Sequence, residues 1–161
     1  MGNSANKQDP TLGSLVVQSS QKYYYPGDTV TGCVYLRLLR PMQAKKIDLQ
    51  IHGREKVSFM YYHDNNMHKT TPRHVIFNKK EMVYVFSEPL LKNGDYQIPF
   101  QFTLPSGLPS SMMWRNMTVA EQPKCEVKYF IRAYLNHDNN KNMIHKQLLI
   151  LKERISPQNM L

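Results

Sequence analysis

The sequence predicts an all-β fold, an antiparallel immunoglobulin-like β-sandwich of roughly seven to nine strands. Apolar and polar side chains alternate with a period of two at residues 30–38, 47–53, 96–104 and 127–135. That period is typical of strands that bury one face. Turn-forming residues separate these stretches, and no segment shows the apolar periodicity of an amphipathic helix. Two packed sheets with their apolar faces turned inward account best for this pattern.

The chain length indicates a single domain. Its 161 residues are enough to enclose a hydrophobic core and too few for two ordinary domains. We expect the sandwich to span residues 13–155. The polar residues 1–12 are predicted to form a flexible N-terminal tail, and residues 156–161 a C-terminal tail or a truncated linker to a second sandwich. No apolar run approaches the roughly 18 residues that cross a bilayer.

The first strands surround a Pro-Gly turn. The apolar run at residues 15–17 is a plausible first strand. Pro26 and Gly27 then stand where a type II turn requires Pro and Gly. The strand that follows alternates until Pro41 ends it. Its predicted inward residues are Val30, Gly32, Val34, Leu36 and Leu38.

Residues 46–59 predict the next strand. Ile47, Leu49, Ile51 and Gly53 share its inward face. Val57 and Phe59 are expected to keep the same register. Residues 75–86 then predict one strand or two, with the charged residues 79–81 either forming a turn or simply exposed.

The tetrapeptide His-Asp-Asn-Asn occurs twice, at residues 63–66 and 137–140. Asp and Asn tolerate left-handed backbone, so both segments are predicted loop tips between strands. Loop carboxylates could instead bind calcium, as in C2 sandwiches, but each loop offers only one, Asp64 or Asp138. We therefore expect no calcium requirement.

Residues 96–104 form the clearest predicted strand. Its inward face comprises Tyr96, Ile98, Phe100, Phe102 and Leu104. Pro99 cannot donate a ladder hydrogen bond, so we expect it at a sheet edge or a bulge.

Residues 106–123 are weakly patterned and contain Met112, Met113, Trp114 and Met117. Two interpretations stay open: a loop whose apolar side chains close one end of the sandwich, and a partner-binding patch. Residues 127–135 then predict a strong strand, and residues 148–151 a last buried strand.

The sequence offers no catalytic set. Its six His residues lack metal-site spacing, and its two Cys residues, Cys33 and Cys125, form neither a zinc pair nor a disulfide framework. The seven glycines form no phosphate-binding loop. We predict a non-enzyme that needs no cofactor.

The formal net charge of +9 and the pI near 9.6 favour acidic partners. The basic residues are dispersed, but strand alternation turns most of them away from the apolar face. The candidates for partner binding are Arg37, Arg40, Lys45, Lys46, Arg54, Lys128 and Arg132. We expect no nucleic-acid binding, because that inference would rest on charge alone.

Three motifs, in this order, resemble the arrestin-domain family, and most closely the N-terminal sandwich of the alpha-arrestins, the arrestin-domain-containing proteins. They are Tyr-Pro-Gly-Asp-Thr-Val-Thr-Gly at residues 25–32, Gly-Asp-Tyr-Gln-Ile-Pro-Phe-Gln-Phe-Thr-Leu-Pro at residues 94–105 with Leu-Pro-Ser-Ser after it, and Val-Lys-Tyr-Phe-Ile-Arg-Ala-Tyr-Leu at residues 127–135. The motif residues are Pro26, Gly27, Asp28, Gly32, Gly94, Pro99, Phe100, Phe102, Leu104, Pro105, Leu108, Pro109 and Ser110. Because members of this family carry two such sandwiches, the resemblance implies that this chain is one half, either a fragment or a single-domain member.

The resemblance also implies a function, that of a non-catalytic adaptor or scaffold for cytoplasmic regions of membrane proteins in transport, endocytosis or signalling. Its implied partners are acidic or phosphorylated tails, with ubiquitin-ligase or vesicle-coat machinery in the full-length protein. Its implied location is cytoplasmic, peripheral to the plasma membrane or endosomes, with transient membrane association.

Two alternatives stay open beside this interpretation. One is a retromer-type arrestin-like sorting subunit, whose corresponding strand is similar to residues 129–132. The other is a C2-like membrane-binding sandwich.

One departure from the family limits which residue roles are transferred to this sequence. Phosphate-sensing arrestins use lysines of the first strand, and residues 15–18 contain none. We therefore carry over no phosphate-sensing residue.

Overall fold

The computed structural model describes residues 6–136 and 143–156, and these form twelve strands without a helix. The strands are β1 Gly13–Ser19, β2 Tyr23–Tyr24, β3 Thr29–Leu38, β4 Met42–Gln43, β5 Lys46–His63, β6 Asn66–Thr70, β7 Arg73–Val85, β8 Leu90–Leu91, β9 Gly94–Thr103, β10 Met112–Arg115, β11 Lys124–Asn136 and β12 Met143–Leu151. The predicted all-β class is confirmed. The predicted strand count holds for the longer strands, and four strands of two to four residues add to it. Nothing in the described ranges forms a helix able to cross a membrane.

The smaller layer is an antiparallel three-stranded sheet in the order β1-β3-β9. Its inward side chains follow the predicted alternation on both β3 and β9. Pro99 is exposed on β9, which pairs only with β3 in the described structure, so the predicted edge position is confirmed.

The larger layer has the order β2-β12-β11-β5-β6, with β10 also pairing with β11 and β7 with β5. Most of its pairs are antiparallel; β2 and β12 run parallel. The long strands β5 and β11 pair from Lys46 opposite Asn136 to Ser58 opposite Lys124. Strands β4 and β8 form a short separate sheet.

The core lies between the two layers and is built from their inward faces. Close packing explains two glycines. A Cβ on Gly53 would lie 2.5 Å from the ring of Tyr129, and one on Gly32 would lie 2.5 Å from the ring of Phe100. The Tyr129 hydroxyl also donates a hydrogen bond of 2.6 Å to the carbonyl of Pro109. Each of these rings therefore fits only because the residue opposite it is a glycine.

Two sequence expectations need correction, and one open alternative is decided. Val57 and Phe59 do not keep the inward register: Ser58 is buried and Phe59 is exposed, because the core ends at Ile51 on this strand and β5 continues beyond it. For residues 79–81 the second of the two alternatives is confirmed: β7 continues through them opposite β5, and Lys79 and Lys80 are exposed. On β12 only alternate residues of the predicted buried run are covered: Leu149 and Leu151 are buried, whereas Leu148 and Ile150 are exposed.

Two predicted turns are confirmed. The Asp28 amide donates to the Tyr25 carbonyl at 3.0 Å, and Gly27 has a φ of 86°, as a type II turn requires. Asp64 and Asn65 have φ values of 49° and 62° at the tip of the β5–β6 hairpin. The second predicted loop tip, residues 137–140, lies outside the described residues.

Side chains cap the free edge of β1. On the side away from β3, the amides of Leu15, Val17 and Ser19 donate to Gln8 Oε1, His145 Nδ1 and Gln147 Oε1 at 2.8, 3.0 and 2.8 Å. Lys7 also exchanges backbone hydrogen bonds of 2.8 and 2.7 Å with Ile144. Part of the predicted N-terminal tail therefore lies against β1 and β12.

Candidate functional site

The outward surface of the larger sheet brings together basic residues that are far apart in the sequence. Strand pairing places Arg54 opposite Lys128, and Arg132 opposite Lys146. His52 lies opposite Phe130, between these two rows. We call this surface the basic face; its residues are His52, Arg54, Lys128, Phe130, Arg132 and Lys146.

The centre of the basic face is an aromatic ring. Phe130 points outward but is only 7% exposed, because basic side chains cover it. Lys146 Nζ lies 3.6 Å from the ring centroid and the Arg54 guanidinium carbon lies 5.2 Å from it. Cations within about 6 Å of an aromatic face are attracted to it. The ring therefore holds two positive groups close together.

The charges of the basic face repel one another. Burial lowers the pKa of Lys146, and the neighbouring charges of Arg132, Arg54 and Lys128 lower it further. Burial likewise lowers the pKa of His52; hydrogen bonding to Asn78 opposes this shift, and the charges of Arg132, Arg54 and Lys146 add to it. Burial is thus the main cause of both pKa shifts, and the neighbouring positive charges add to it.

Carboxylates compensate the flanks of this face but not its centre. Glu126 is buried and lies 3.4 Å from Lys124 Nζ and 3.3 Å from Lys128 Nζ. Burial raises its pKa, but the two lysines outweigh burial and hold the pKa below its usual range. Among the residues that the structure describes, no carboxylate lies within ion-pair distance of Arg54, Arg132 or Lys146. The Nε of Arg54 and the Nδ1 of His52 are also buried without a hydrogen-bond partner there.

The structure groups three of the seven predicted basic residues, Arg54, Lys128 and Arg132. Lys46 lies on the same sheet, but its Nζ is 3.2 Å from the buried carboxylate of Asp48.

The other three predicted residues lie elsewhere. Arg37 is on β3 and forms two hydrogen bonds with Asp95, of 2.8 and 3.2 Å. Arg40 donates to the Thr11 hydroxyl at 3.0 Å. Lys45 precedes β5, where its amide donates to the Asn136 carbonyl at 3.1 Å.

Sequence reasoning missed His52 and Lys146. The alternation of residues 143–151 would have turned Lys146 outward, but that strand was recognised only from residue 148. The alternation of β5 turns His52 outward with Arg54, but nothing in the sequence shows that this face lies beside the cations of β11 and β12.

The family-motif residues build the fold. The Gly27 amide donates to the Pro105 carbonyl at 3.1 Å, and the Leu104 amide to the Asp28 carbonyl at 2.9 Å, so the turn at Pro26 is tied to the end of β9. Phe100, Phe102 and Leu104 are buried, Leu108 packs against the core, and Pro109 accepts from Tyr129. Gly32 faces Phe100, Gly94 begins β9, Pro99 lies on its edge, and Ser110 follows Pro109 in the loop before β10.

The basic face can bind an anion by charge and hydrogen bonding. Its donors are guanidinium, ammonium and imidazole groups on one side of the sheet. In the described ranges, no three His, Cys, Asp or Glu side chains group as a metal site would require.

Comparison with known proteins identifies a family and relatives of the same fold. The family profile described as the N-terminal domain of arrestin, or S-antigen, matches residues 14–154. A search of curated proteins finds no match. Among solved structures, the chain is similar to Spo0M, a sporulation control protein from Bacillus subtilis, with 19% identity and a TM-score of 0.59. The similarity covers 89% of this chain and 50% of the Spo0M chain, and at this identity it concerns the fold alone.

Proposed function

The protein belongs to the arrestin N-terminal domain family, and on that premise we propose that its basic face binds acidic or phosphorylated segments of the cytoplasmic tails of membrane proteins. The family is generally non-catalytic and its domain serves adaptor and scaffold roles. We extend this to a non-enzymatic adaptor in protein transport, endocytosis or signalling. It would act at the plasma membrane or at endosomes, and the full-length protein would recruit ubiquitin-ligase or vesicle-coat machinery.

The uncompensated charge at the centre of the basic face carries the proposal. Arg54 and Lys146 lie against the ring of Phe130, and Arg132 lies opposite Lys146; none of the three has a carboxylate partner among the described residues. A bound phosphate or carboxylate would offset their mutual repulsion and accept charge-assisted hydrogen bonds. Two arginines suit such a ligand, because a guanidinium can hold an oxyanion with two parallel hydrogen bonds.

The shape of the surface favours an extended ligand. The basic face is one side of three neighbouring strands, β5, β11 and β12. A tail peptide lying across the strands would meet the cations of each in turn. Small-molecule sites, by contrast, are usually concave.

A binding titration tests the proposal. Fluorescence anisotropy would compare phosphorylated and unphosphorylated forms of one labelled tail peptide at low and high salt. We expect tighter binding of the phosphorylated form, and weaker binding as the screening length falls from about 10 Å at 0.1 M salt to about 3 Å at 1 M. The double variant Arg132→Gln, Lys146→Gln should bind at least about tenfold more weakly.

A matched control separates the basic face from overall charge. The double variant Arg37→Gln, Arg40→Gln removes the same charge from exposed positions on the other side of the sandwich and should bind like the unmodified protein. Equal losses in both double variants would indicate non-specific attraction and contradict the proposal. Negligible binding of both peptides at low salt, together with tight binding of duplex DNA, would favour a nucleic-acid ligand instead.

A further inference from the structure

One end of the larger sheet carries exposed aromatic and methionine side chains. They lie on the β5–β6 hairpin, on β10 and on the loop that follows β10. We call this region the apolar end; its residues are Tyr61, Tyr62, Met67, Met113, Trp114 and Met117. Contiguous exposed apolar surface on a folded domain usually marks an interaction site.

The strands at this end project beyond the core. Neighbouring residues on a strand point to opposite faces, yet Tyr61 and Tyr62 are 44% and 69% exposed. Met113 and Trp114 on β10 are likewise 66% and 51% exposed. Both faces of these strands are therefore accessible to solvent. The strands extend past the sandwich at this point, and no second layer covers either face among the described residues.

Backbone hydrogen bonds hold the pieces of the apolar end together. The Met60 amide donates to the Glu121 carbonyl at 2.7 Å, which joins the hairpin to the loop after β10. β10 in turn pairs with residues 124–127 of β11, and β5 pairs with the same residues along their other edge. The hairpin, the loop and β10 thus form one protruding unit.

Basic residues border the apolar end: residues 59–73 and 112–124 contain four of them, Lys69, Arg73, Arg115 and Lys124, and two acidic residues, Asp64 and Glu121. Lys69 pairs with Met60 across the hairpin, and Arg115 lies opposite Lys124 on the outward side of the sheet. Lys56 adds a further cation between this end and the basic face. The described acidic groups nearby are Asp64, which contacts His63 at 3.3 Å, Glu121 in the loop, Glu55 beside Lys56, and Glu126, which lies opposite Met113 and is 3.4 Å from Lys124 Nζ.

We propose that the apolar end docks on the surface of an anionic lipid bilayer. Trp, Tyr and Met can enter the boundary between headgroups and acyl chains, where their apolar parts leave water and polar atoms stay hydrated. The neighbouring lysines and arginines would meet anionic headgroups, each adding a modest electrostatic attraction. Aromatic residues inside a cationic border match the chemistry of such an interface better than that of a neutral apolar partner.

Trp114 is the chain's only tryptophan and lies within the proposed contact, so its emission reports docking directly. Vesicles of phosphatidylcholine alone would be compared with vesicles that also contain phosphatidylserine, at low salt. We expect a blue shift of Trp114 emission and co-sedimentation with the anionic vesicles, with roughly tenfold weaker binding to the neutral ones. Quenchers placed at the headgroup level should quench Trp114 more than quenchers deep in the acyl chains.

Variants separate insertion from general attraction of a cationic protein. Tyr62→Ser with Met67→Ser removes exposed apolar surface from the hairpin, keeps Trp114 and leaves the core untouched. We expect roughly tenfold weaker binding to anionic vesicles. Leu39→Ser with Met82→Ser removes exposed apolar side chains elsewhere and should leave vesicle binding unchanged. Circular dichroism and thermal melting would check that both variants are folded.

Three results would overturn the proposal. The first is a Trp114 spectrum that anionic vesicles do not change. The second is vesicle binding that the hairpin variant retains but the Arg132→Gln, Lys146→Gln variant loses, because the basic face alone would then explain it. The third is a blue shift that depends on protein concentration without lipid, which would assign the apolar end to contact with a second copy. The tail-peptide assay contains no lipid, so its outcome is independent of this one.

Discussion

Phe100 and Gly32 show how tightly single residues are specified in the smaller sheet. They lie opposite each other on β9 and β3, and the ring occupies the space that a Cβ on Gly32 would fill. We expect Phe100→Ala to lower the free energy of unfolding by about 3–5 kcal/mol, because it leaves a cavity in the core. Urea denaturation would measure the change. Gln101→Ala, at the exposed neighbouring position, is the control; similar losses in both variants would contradict the assigned packing.

His145 predicts a dependence of stability on pH. Burial lowers its pKa from the ordinary value of 6.5, and its Nδ1 accepts the Val17 amide at 3.0 Å, so the folded state favours the neutral ring. Between the folded and unfolded pKa values the unfolded chain binds more protons. The contribution of His145 to stability is therefore fully present above about pH 6.5 and is lost as the pH falls through the folded pKa.

We expect urea denaturation to show a falling free energy of unfolding between about pH 7 and pH 5. His145→Asn supplies an uncharged acceptor and should reduce this slope. It should not abolish it, because the pKa of His52 is also lowered in the folded state. His74→Asn, at an exposed position of β7, should keep the original slope. An unchanged slope in His145→Asn would contradict the contribution of His145 to the pH dependence of stability.

At the scale of elements, substitutions in the turn before β3 separate the effect of backbone conformation on stability from the effect of side-chain packing. Gly27 has a φ of 86°, and a Cβ there would meet no atom closer than 4.0 Å. Gly27→Ala should cost about 1–2 kcal/mol through backbone strain alone. Gly27→Asn should cost less, since Asn adopts this region more readily. Thermal or urea denaturation measures both variants, and equal stability of Gly27→Ala and the unmodified protein would contradict the turn geometry.

The sequence could predict a strand and its buried face where the alternation of the strand's own residues shows which side is apolar. β9 alternates along its whole length, so its buried face was evident. β10 was not recognised, because Met112, Met113 and Trp114 form an unbroken apolar run without alternation. The register of β5 failed beyond Gly53 because it depends on where the opposite layer stops covering the strand, which is a tertiary property.

The basic face was predictable in its parts but not as a site. Alternation turned Arg54, Lys128 and Arg132 outward, and the structure confirms that orientation. Their grouping depends on β11 lying between β5 and β12, which one sequence does not specify. The same topology adds Lys146 to the group. Arg37 has the same outward alternation but lies on the other layer, beside Asp95.

At the scale of the whole molecule, net charge and the basic face predict stabilisation by anions. A ligand that binds only the folded state raises its stability by mass action. We expect sodium phosphate to raise the Tm more than sodium chloride of equal ionic strength. The variant Arg132→Gln, Lys146→Gln should lose most of that difference, and the matched variant Arg37→Gln, Arg40→Gln should keep it. Equal effects of the two salts on the unmodified protein would contradict a specific anion site.

The position of β12 has a consequence for how the chain is made. β12 lies between β11 and β2 and supplies His145 and Gln147, which cap the edge of β1. Because β12 is the last strand in chain order, β1 to β11 are synthesised before it. A ribosome adds about 5–20 residues per second. For roughly one to three seconds the nascent chain therefore lacks β12, and the edges of β1 and β11 that β12 covers are unprotected. Chaperones and premature self-association would compete for the chain in that interval, before β12 emerges and closes the sandwich.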